Sequence, residues 1–555
     1  MAGERIGLGL GLDDFSAMRI RNCYYIDKSM LIKEVVTKAG FVKLLTKPRR
    51  FGKSTNMSML RSFFEAGKVG EADPKLFSGL AIEKEKRVWD EWYRKYPVIH
   101  INLSRMAAAA TIEDSMKLLG MSVSVECQRL NYLLNSELVS EYLKTALYNF
   151  VQNSSDPILL LGSLETITDA LSAHHNAPVI VLIDEYDAPF NHKEQDSFRD
   201  QLLSKMSAFF GSVFKGKSNI MLIVVTGCLR IANESIFTGA NNPQVYDLDS
   251  KLFSRFYGLT ENELIRILKE QGLEEKLDDF KSWYNGYYYG GEQIYNISSV
   301  LSHISALQSD PDSLPENYWA NTSSNDILKS ALESSGDCAK VISLIAGETV
   351  YIQRISSTIT YRGVKREDSL WSVLLSTGYL TKAAGKINAY RIPNAEISSV
   401  FEDQFRDYIK GKLGEEGLLR LQAAVHSLDP KAIETVFKES LLALSVFDTA
   451  VTHEYVYHVF FAGVLFNLNL FSNRESGYGR YDVQVEFPEE IMVLIFEFKR
   501  FEDGDQNLRD AAQRALNQIF ALHYTDHPKS LGYKVVCFGV GCSGKDCAVI
   551  GGVVA

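Results

Sequence analysis

A short basic segment at residues 46–54, TKPRRFGKS, constrains the fold more than any other part of the chain. It follows the apolar run 41–45 and precedes a helical pattern at 57–64. This order of strand, tight loop and helix is what a phosphate-binding P-loop requires, because the loop N–H groups and the helix N-terminus face the phosphates. Lys53 would then reach the β- and γ-phosphates, and Ser54 would bind Mg²⁺. The alternative is a basic surface turn, since Lys47 replaces the first glycine of the common pattern.

A second segment supports the P-loop interpretation. Residues 178–183 are continuously apolar and are followed by Asp184 and Glu185. Such a run predicts a buried parallel strand, and ligands bind at the carboxyl ends of such strands. Asp184 could hold the Mg²⁺ shell through water, and Glu185 could orient or deprotonate the attacking water. The alternative is an ordinary strand followed by solvated acids.

Two further strand-like runs complete the expected sheet. One covers 220–225 and ends in Thr226, and the other covers 97–103, between the P-loop and the acidic pair. This spacing fits a sheet with a strand inserted between the P-loop strand and the Asp-Glu strand. Thr226 either senses the γ-phosphate or merely ends its strand. Three arginines are candidates for balancing transition-state charge, and the sequence does not choose among Arg50, Arg230 and Arg255.

The region from about residue 11 to 259 resembles the AAA-ATPase-like family found widely in bacteria and archaea. The matching segments are Asp14-Phe15, Tyr25-Ile26-Asp27-Lys28-Ser29, Pro48-Arg49-Arg50-Phe51-Gly52-Lys53-Ser54, Tyr96-Pro97-Val98-Ile99, Leu182-Ile183-Asp184-Glu185-Tyr186-Asp187, Thr226-Gly227 and Ser235-Ile236-Phe237. Family members carry this form of the loop, so Lys47 does not by itself argue against nucleotide binding. The cofactors implied are ATP and Mg²⁺. The residues expected at the nucleotide are Arg49, Arg50, Phe51, Gly52, Lys53, Ser54, Thr55, Asp184 and Thr226, with Glu185 catalytic.

A second chemical site is predicted near the other end of the chain. Residues 481–487 alternate polar and apolar, a turn follows at 488–490, and 491–498 is strongly β-prone. An antiparallel hairpin closed at this turn would bring Asp482 opposite Glu497. Lys499 would share a face with Glu497, because the two residues are two apart in a strand. Carboxylates and an amine in this arrangement can hold a divalent ion and orient water.

The flanking segments give this site a family resemblance. Glu454 and His458 share one face of a helix predicted over 453–470, and Gln518 lies on a helix predicted over 508–524. Strand-like runs at 534–540 and 548–555 close the chain. The matching segments are Glu454-x-x-x-His458, Ser476-Gly477-Tyr478-Gly479-Arg480-Tyr481-Asp482, Glu497-Phe498-Lys499 and Gln518-Ile519.

These segments resemble the PD-(D/E)XK nuclease superfamily, and more closely the nuclease-like domain often fused to the same ATPase family. The resemblance implies that Glu454, Asp482 and Glu497 bind metal, that Lys499 is catalytic and that Gln518 supports them. The alternative is a solvated strand face with a chance Glu-x-Lys spacing. His458 is expected to pack in its helix rather than bind metal.

The length of 555 residues predicts about three domains, and the strand and helix patterns together with the resemblances imply an α/β protein. The domains are an AAA-like P-loop ATPase domain with a parallel sheet at 1–260, a mostly helical lid or linker at 261–445, and a restriction-endonuclease-like α/β domain at 446–555. A helix and two strands near 367–395 make a winged helix a candidate within the middle region.

Charge and cysteine content limit the partners and the compartment. The net charge of −10 argues against a uniformly basic nucleic-acid binder, although a locally positive groove stays compatible with it. Seven cysteines without paired spacing suit reduced thiols in the cytoplasm. We find no apolar run of the roughly 18 residues that a membrane span needs, so no membrane partner is expected.

These observations together predict an ATP-binding and hydrolysing protein coupled to a Mg²⁺-dependent nuclease, with DNA as the first candidate substrate. The alternative is a nucleotide-controlled signalling or scaffold ATPase whose C-terminal domain binds nucleic acid without cleaving it. A homo-oligomer stays open, because ATPases of this kind often act as rings or dimers.

Overall fold

The computed structural model describes residues 7–67, 75–153, 156–190, 196–231, 243–319, 326–333, 335–345, 347–353, 355, 366–443, 454–465, 469–472, 475–476 and 479–554. The expected segment 235–237 and residues 453, 477 and 478 therefore lie outside the described residues. The chain forms two compact units. The first comprises Met1–Trp319, Ile352–Asn388 and Pro393–Ala395, and the second comprises Ala320–Tyr351, Ala389–Ile392 and Glu396–Ala555.

The described residues up to 319 form an α/β layer structure. The strands are β1 Val42–Thr46, β2 Val98–Asn102, β3 Val179–Asp184, β4 Ile220–Gly227, β5 Gln244–Tyr246, β6 Tyr287–Tyr289 and β7 Glu292–Ile294. The α-helices are α1 Phe15–Ile20, α2 Met30–Thr37, α3 Lys53–Phe64, α4 Lys86–Trp92, α5 Ile112–Arg129, α6 Glu141–Val151, α7 Pro157–Leu161, α8 Ser163–His175, α9 Asp196–Phe214, α10 Glu261–Gln271, α11 Leu277–Tyr284 and α12 Ile297–Ser309.

The main sheet of the first unit is parallel, with the strand order β2-β3-β4-β1-β5. Strand β4 lies between the P-loop strand β1 and the Asp-Glu strand β3, which confirms the predicted insertion. Every residue of β1 and β3 is buried, as their continuous apolar runs predict. Because Leu45 lies beside Thr226 and Ile183 beside Val225, the carboxyl ends of all three strands meet at one edge.

The middle of the chain is mostly helical, as predicted. Its described helices are α13 Asp326–Glu333, α14 Ser335–Ile345, α15 Arg366–Thr377, α16 Ala395–His426 and α17 Pro430–Leu442, and its short strands are β8 Val350–Tyr351, β9 Thr381–Lys382 and β10 Ala389–Arg391. Helix α16 is kinked at Gly414, whose φ of 70° is not helical. The candidate winged helix contains α15, β9 and β10, and it stays a prediction, as do the domain boundaries at 260 and 445.

The C-terminal part of the second unit is an α/β domain. Its described elements are α18 Glu454–Val464, α19 Leu508–Ala521 and α20 Asp526–Ser530, with β11 Asn469–Ser472, β12 Glu475–Ser476, β13 Gly479–Arg480, β14 Val483–Phe487, β15 Met492–Arg500, β16 Lys534–Ser543 and β17 Asp546–Val554. The sheet order is β11-β14-β15-β16-β17. Strands β14 and β15 form the predicted antiparallel hairpin, and β15 pairs in parallel with β16 across the connecting helix α19.

Helix α19 packs closely against β16. Asn507 and Asp510 form a capping box at the start of this helix. A Cβ at Gly539 would lie 2.1 Å from the carbonyl oxygen of Ala512, so only glycine allows the helix this near the strand. The buried residues around this interface form an apolar cluster of Tyr481, Val493, Ile495, Ile519, Tyr524, Val535 and Cys537.

No helix within the described ranges combines the length and apolar character needed to cross a bilayer.

Candidate nucleotide site and candidate nuclease site

The backbone of residues 46–54 makes the turn that a P-loop requires. Strand β1 ends at Thr46 and α3 begins at Lys53, with Gly52 in the left-handed region at φ 81°. A side chain at Gly52 would be strained by this φ and would meet Ile297 at 3.3 Å. The amine of Lys47 donates to the carbonyl oxygen of Asp247 at 2.5 Å, so this buried lysine is accommodated at the usual glycine position by a backbone acceptor.

Lys53 is buried at the centre of the loop. Its Nζ donates to the carbonyl oxygen of Pro48 at 3.1 Å and to Cys228 Sγ at 3.2 Å, and lies 3.4 Å from Glu185 Oε1. Burial alone lowers the pKa of Lys53, but Cys228 and the carboxylates of Glu185 and Asp184 more than offset this and raise it. Because burial raises the pKa of the Cys228 thiol to about 12, the carboxylates supply the negative charge at neutral pH. Lys53 is therefore a fixed cation beside the acidic pair.

Asp184, fully buried at the end of β3, is surrounded by donors. Ser54 Oγ donates to Oδ2 at 2.7 Å, Thr226 Oγ1 donates to Oδ1 at 2.5 Å, and Asn102 Nδ2 donates to Oδ2 at 3.1 Å. Burial and the neighbouring charge of Glu185 raise the pKa of Asp184, while these hydroxyl donors lower it. The structure thus brings Ser54, Asp184 and Thr226, which the sequence grouped by pattern, into direct contact.

The residues that follow Asp184 combine a left-handed backbone conformation with a close approach to the end of β4. Glu185 adopts φ 54°, a left-handed conformation that is uncommon for a residue with a side chain. Asp187 accepts the backbone N–H groups of Cys228 and Leu229, at 3.1 and 2.8 Å. A Cβ at Gly227 would lie 2.2 Å from Asp187 Oδ1, so this glycine allows the two strand ends to approach. Strain of this kind is found at active sites that the surrounding fold holds in place.

The remaining loop residues have separate positions. Phe51 is buried and its ring packs edge-on against Tyr287 at 5.0 Å and Tyr289 at 5.6 Å. Arg49 is partly exposed, and Thr55 lies in the first turn of α3.

The three candidate arginines already have partners. Arg50 donates to the carbonyl oxygen of Tyr318 at 2.8 Å. Arg230 lies 3.4 Å from an oxygen of Asp247, and the largely exposed Arg255 lies 3.3 Å from Glu292. These contacts do not decide which arginine balances transition-state charge.

The hairpin β14–β15 brings the predicted nuclease residues together. The amide of Phe498 donates to Asp482 Oδ2 at 2.8 Å, and the amide of Asp482 donates to Glu497 Oε2 at 3.3 Å. Lys499 Nζ lies 3.8 Å from Glu497 Oε1, and Gln518 donates its amide to the same oxygen. The two carboxylates, the lysine and the glutamine therefore form one cluster.

Helix α18 completes this cluster. Lys499 Nζ donates to Glu454 Oε1 at 2.6 Å, and the amide of Arg500 donates to Glu454 Oε2 at 3.2 Å. His458 Nδ1 lies 3.7 Å from Asp482 Oδ1. Burial lowers the pKa of His458 to about 4, so this histidine is neutral at physiological pH.

Burial also sets the charge of the two facing carboxylates. It raises the pKa of Glu497, and the nearby Asp482 raises it further, while Lys499 lowers it. The pKa of Asp482 is likewise raised by burial and lowered by the Phe498 amide and by Lys499. A cation placed between them would favour their charged forms.

The donor set is compatible with a hard divalent cation, because carboxylate oxygens are the ligands that Mg²⁺ prefers. Within the described ranges, however, no group of three or more His, Cys, Asp or Glu side chains is arranged to hold a metal ion. Both carboxylate oxygens of Glu454 already accept hydrogen bonds, one from Lys499 Nζ and one from the amide of Arg500. Joint coordination by Glu454, Asp482 and Glu497 would therefore require Glu454 to leave the lysine.

Sequence reasoning missed two residues of the nucleotide site, Asn102 and Cys228. Asn102 ends β2, and its side-chain Oδ1 accepts a hydrogen bond from the backbone amide of Ser104, which aims the Nδ2 group of Asn102 at Asp184. The rule that ligands gather at the ends of parallel strands could have identified Asn102, because the strand itself was recognised. Cys228 carries no such signal, since its contact with Lys53 spans 175 residues.

A parallel sheet with a P-loop after β1 and an acidic residue at the end of β3, separated from β1 by one inserted strand, defines a P-loop nucleoside-triphosphatase fold. Comparison with known proteins makes this more specific. Residues 9–237 match the family model of predicted AAA-ATPases, and residues 452–551 match that of the PD-(D/E)XK nuclease superfamily. The chain thus combines an AAA-ATPase-like domain with a C-terminal nuclease-superfamily domain, and the resemblance seen in its sequence is confirmed.

Two individual proteins are also similar. One is described as an uncharacterized protein in the vnfD 5′ region of Azotobacter chroococcum mcd 1, and it is 23% identical over 590 residues, which cover 99% of each chain. The other is a solved structure of the Aeropyrum pernix ORC2 protein in ADPNP-ADP complexes. It covers 70% of this chain and 93% of its own at 10% identity, with a TM-score of 0.24, which is too low to support a conclusion.

Proposed function

We propose that the first unit binds and hydrolyses ATP with Mg²⁺. The observation that carries this proposal is the direct contact of Ser54 with Asp184 beside the ion pair of buried Lys53 with partly exposed Glu185. Lys53 would bind the β- and γ-phosphates, Ser54 and Asp184 would hold the Mg²⁺ shell, and Glu185 would orient or deprotonate the attacking water. Glu185 is free to do so only when nucleotide phosphates replace it as the partner of Lys53.

The second unit is proposed to cleave a phosphodiester bond, with DNA as the first candidate. Asp482, Glu497 and Glu454 would hold Mg²⁺, which when bound supplies Lewis-acid polarisation of the attacked phosphate and a more acidic water. Lys499 would position that water or stabilise charge on the phosphate, once released from Glu454. Gln518 would keep Glu497 in orientation through the contact with its carboxylate.

Incubation of the purified protein with plasmid, with and without ATP and Mg²⁺, tests both proposals. Nicking that requires Mg²⁺ or Mn²⁺ and responds to ATP is expected. Lys499→Ala should abolish nicking and retain ATP turnover, whereas Lys534→Ala, at an exposed lysine outside the cluster, should retain both. Nicking that survives Lys499→Ala would contradict the proposed role of this lysine.

The ATPase proposal has its own test. Glu185→Gln keeps the side-chain shape and removes the base, so ATP turnover should fall about 100-fold or more. Turnover that survives this change would remove Glu185 from the proposed role, whereas a wild type that does not turn over ATP would favour an interaction module over an ATP-driven enzyme.

A second candidate function is a nucleotide-controlled signalling or scaffold ATPase whose C-terminal domain binds nucleic acid without cutting it. The pairing of Lys499 with Glu454 favours it, because this ion pair occupies both the predicted catalytic amine and one predicted ligand. Retention of DNA on the protein with no nicking in Mg²⁺ or Mn²⁺ would support this candidate over the nuclease. Assembly into oligomers and a cytoplasmic location stay predictions.

A further inference from the structure

Tyr257 is a buried residue without an assigned role. It follows the short helical turn Ser254–Phe256, and its side chain is 1% exposed. Its amide donates to the carbonyl oxygen of Ser254 at 3.2 Å, which closes the turn. The backbone at Tyr257 is therefore fixed by this turn.

The residues on either side of Tyr257 are attached to the P-loop. The carbonyl oxygen of Phe256 accepts Asn56 Nδ2 at 2.9 Å, and the amide of Gly258 donates to the carbonyl oxygen of Phe51 at 3.1 Å. Asn56 lies in the first turns of α3, and Phe51 lies in the loop itself. Hydrogen bonds at both flanking residues, Phe256 and Gly258, thus hold the backbone of Tyr257 against the P-loop and the start of α3.

The hydroxyl of Tyr257 is buried and has no hydrogen-bond partner among the described residues. Burial raises the pKa of this phenol, the negative charge of Asp184 raises it further, and the positive charge of Lys53 lowers it. The hydroxyl is therefore neutral, carries a proton to donate, and lies within electrostatic reach of both residues. A buried donor without an acceptor is unfavourable, and at Tyr257, unlike other such hydroxyls, the position beside the P-loop, Lys53 and Asp184 offers a phosphate oxygen as the acceptor.

We propose that the Tyr257 hydroxyl donates a hydrogen bond to the terminal phosphate of a nucleoside triphosphate held between Lys53 and Asp184. This inference rests on the proposed ATP binding. The terminal phosphate is the acceptor because Asp184 and Glu185 mark the end of the site where water attacks. Tyr257 would act as a positioning residue that distinguishes a triphosphate from a diphosphate.

The variant Tyr257→Phe removes the hydroxyl and keeps the ring. Its matched control is Tyr295→Phe, because the Tyr295 hydroxyl is also buried and also without a partner in the described part of the chain. Affinities for ATP and ADP in the presence of Mg²⁺ are measured by calorimetry on the full chain, together with the melting temperature of the nucleotide-free protein.

We expect Tyr257→Phe to weaken ATP binding about 10- to 150-fold, because a hydrogen bond to a charged group contributes on the order of 1.5–3 kcal/mol. Binding of ADP should not change, and the melting temperature without nucleotide should stay the same or rise, since an unsatisfied donor has been removed. The control variant should bind both nucleotides like the wild type.

Wild-type ATP affinity in Tyr257→Phe would overturn the inference, as would an equal loss for ADP or a lower melting temperature of the nucleotide-free variant. Failure of the underlying proposal is separately visible. If the wild type itself does not bind ATP, the proposed function fails and this inference fails with it. If the wild type binds ATP and Lys53→Met does not, an unaffected Tyr257→Phe overturns only the role of the tyrosine.

Discussion

Two lysines close to the P-loop, Lys43 and Lys53, are both buried, but only Lys53 has carboxylates beside its amine. Lys43 lies within β1, and its amine donates to the carbonyl oxygen of Gly40. Burial lowers the pKa of Lys43 to about 8. Lys53 faces Glu185 and Asp184, and its pKa is raised. The difference arises because a carbonyl dipole compensates desolvation less well than a nearby carboxylate does. Of these two lysines, Lys53 is therefore the one whose charge neighbouring carboxylates stabilise.

Replacing each lysine by methionine tests whether ATP binding depends on Lys53 in particular or on any buried lysine near the loop. Lys53→Met should weaken ATP binding by about 100-fold or more, because the cation that faces the phosphates is lost. Lys43→Met should leave ATP binding unchanged, since Lys43 lies outside the loop. Calorimetric titration of both variants with MgATP measures the two affinities, and equal losses would contradict the placement of the nucleotide at Lys53.

A histidine whose ring nitrogen Nε2 is buried, His100, predicts how stability depends on pH. Burial, and secondarily the charge of Arg61, lowers the pKa of His100 to about 4, although the nearby Glu126 raises it. The unfolded chain takes up the proton near pH 6.5 and the folded chain does not, so this stabilising contribution is complete above pH 6.5 and is lost as the pH falls towards 4. Between pH 7 and 4.5 the free energy of unfolding should therefore fall by about 1–3 kcal/mol less in His100→Leu than in the wild type.

Melting temperatures of the two proteins across this pH range measure the difference. The exposed His523 provides a control, and His523→Gln should follow the wild type. A curve of His100→Leu parallel to that of the wild type would show that another group controls acid unfolding.

At the scale of elements, the contact of α19 with β16 determines where Gln518 meets Glu497. Two glycines of β16 permit it, because a Cβ at Gly541 would lie 2.2 Å from the carbonyl oxygen of Leu508, much as one at Gly539 would meet Ala512. The helix backbone therefore rests directly on the strand backbone. The orientation of the glutamine is thus a property of the packed pair of elements and not of the helix alone.

Gly539→Ala should destabilise the second unit by about 1–3 kcal/mol or more, because the methyl group forces α19 away from the sheet. Gly504→Ala is the matched control, since a Cβ there meets nothing within 4 Å. Thermal unfolding of both variants gives the comparison, and nicking activity should fall only in Gly539→Ala. Similar melting curves for the two variants would mean that α19 can shift away from β16 without a loss of stability.

At the scale of the whole molecule, the two candidate sites lie in separate compact units and use different side chains. A mutation in one site should therefore leave ligand binding at the other site unchanged. A ligand that binds only the folded state stabilises it by mass action, by about 2.7 kcal/mol at a concentration of 100 times Kd.

MgATP should accordingly raise the melting temperature of the wild type and of Lys499→Ala to the same extent, and should not raise that of Lys53→Met. Removal of Mg²⁺ with a chelator should reduce the shift, because Ser54 and Asp184 would lose the ion that links them to the phosphates. Thermal shift measurements on the full chain provide the readout. A shift abolished by Lys499→Ala would contradict the assignment of the nucleotide to the first unit.

Local patterns in the sequence determined a large part of this architecture. The apolar runs before Lys53 and Asp184 predicted buried parallel strands, and the hairpin around residues 488–490 followed from alternation and a turn. The spacing of Glu497 and Lys499 placed both on one strand face, and the structure holds them 3.8 Å apart. Such features are accessible because strand and helix periodicities and turn residues act over a few positions.

Only the tertiary structure decided which partners these side chains meet. The amide of Asn102 at Asp184, the thiol of Cys228 at Lys53 and the carboxylate of Glu454 at Lys499 come from segments 82, 175 and 45 residues away. The same holds for the Tyr257 hydroxyl, whose lack of a partner within the described residues depends on everything packed around it. Sequence periodicity specifies the face on which a residue lies, but burial and contacts with distant segments set its charge and its partners.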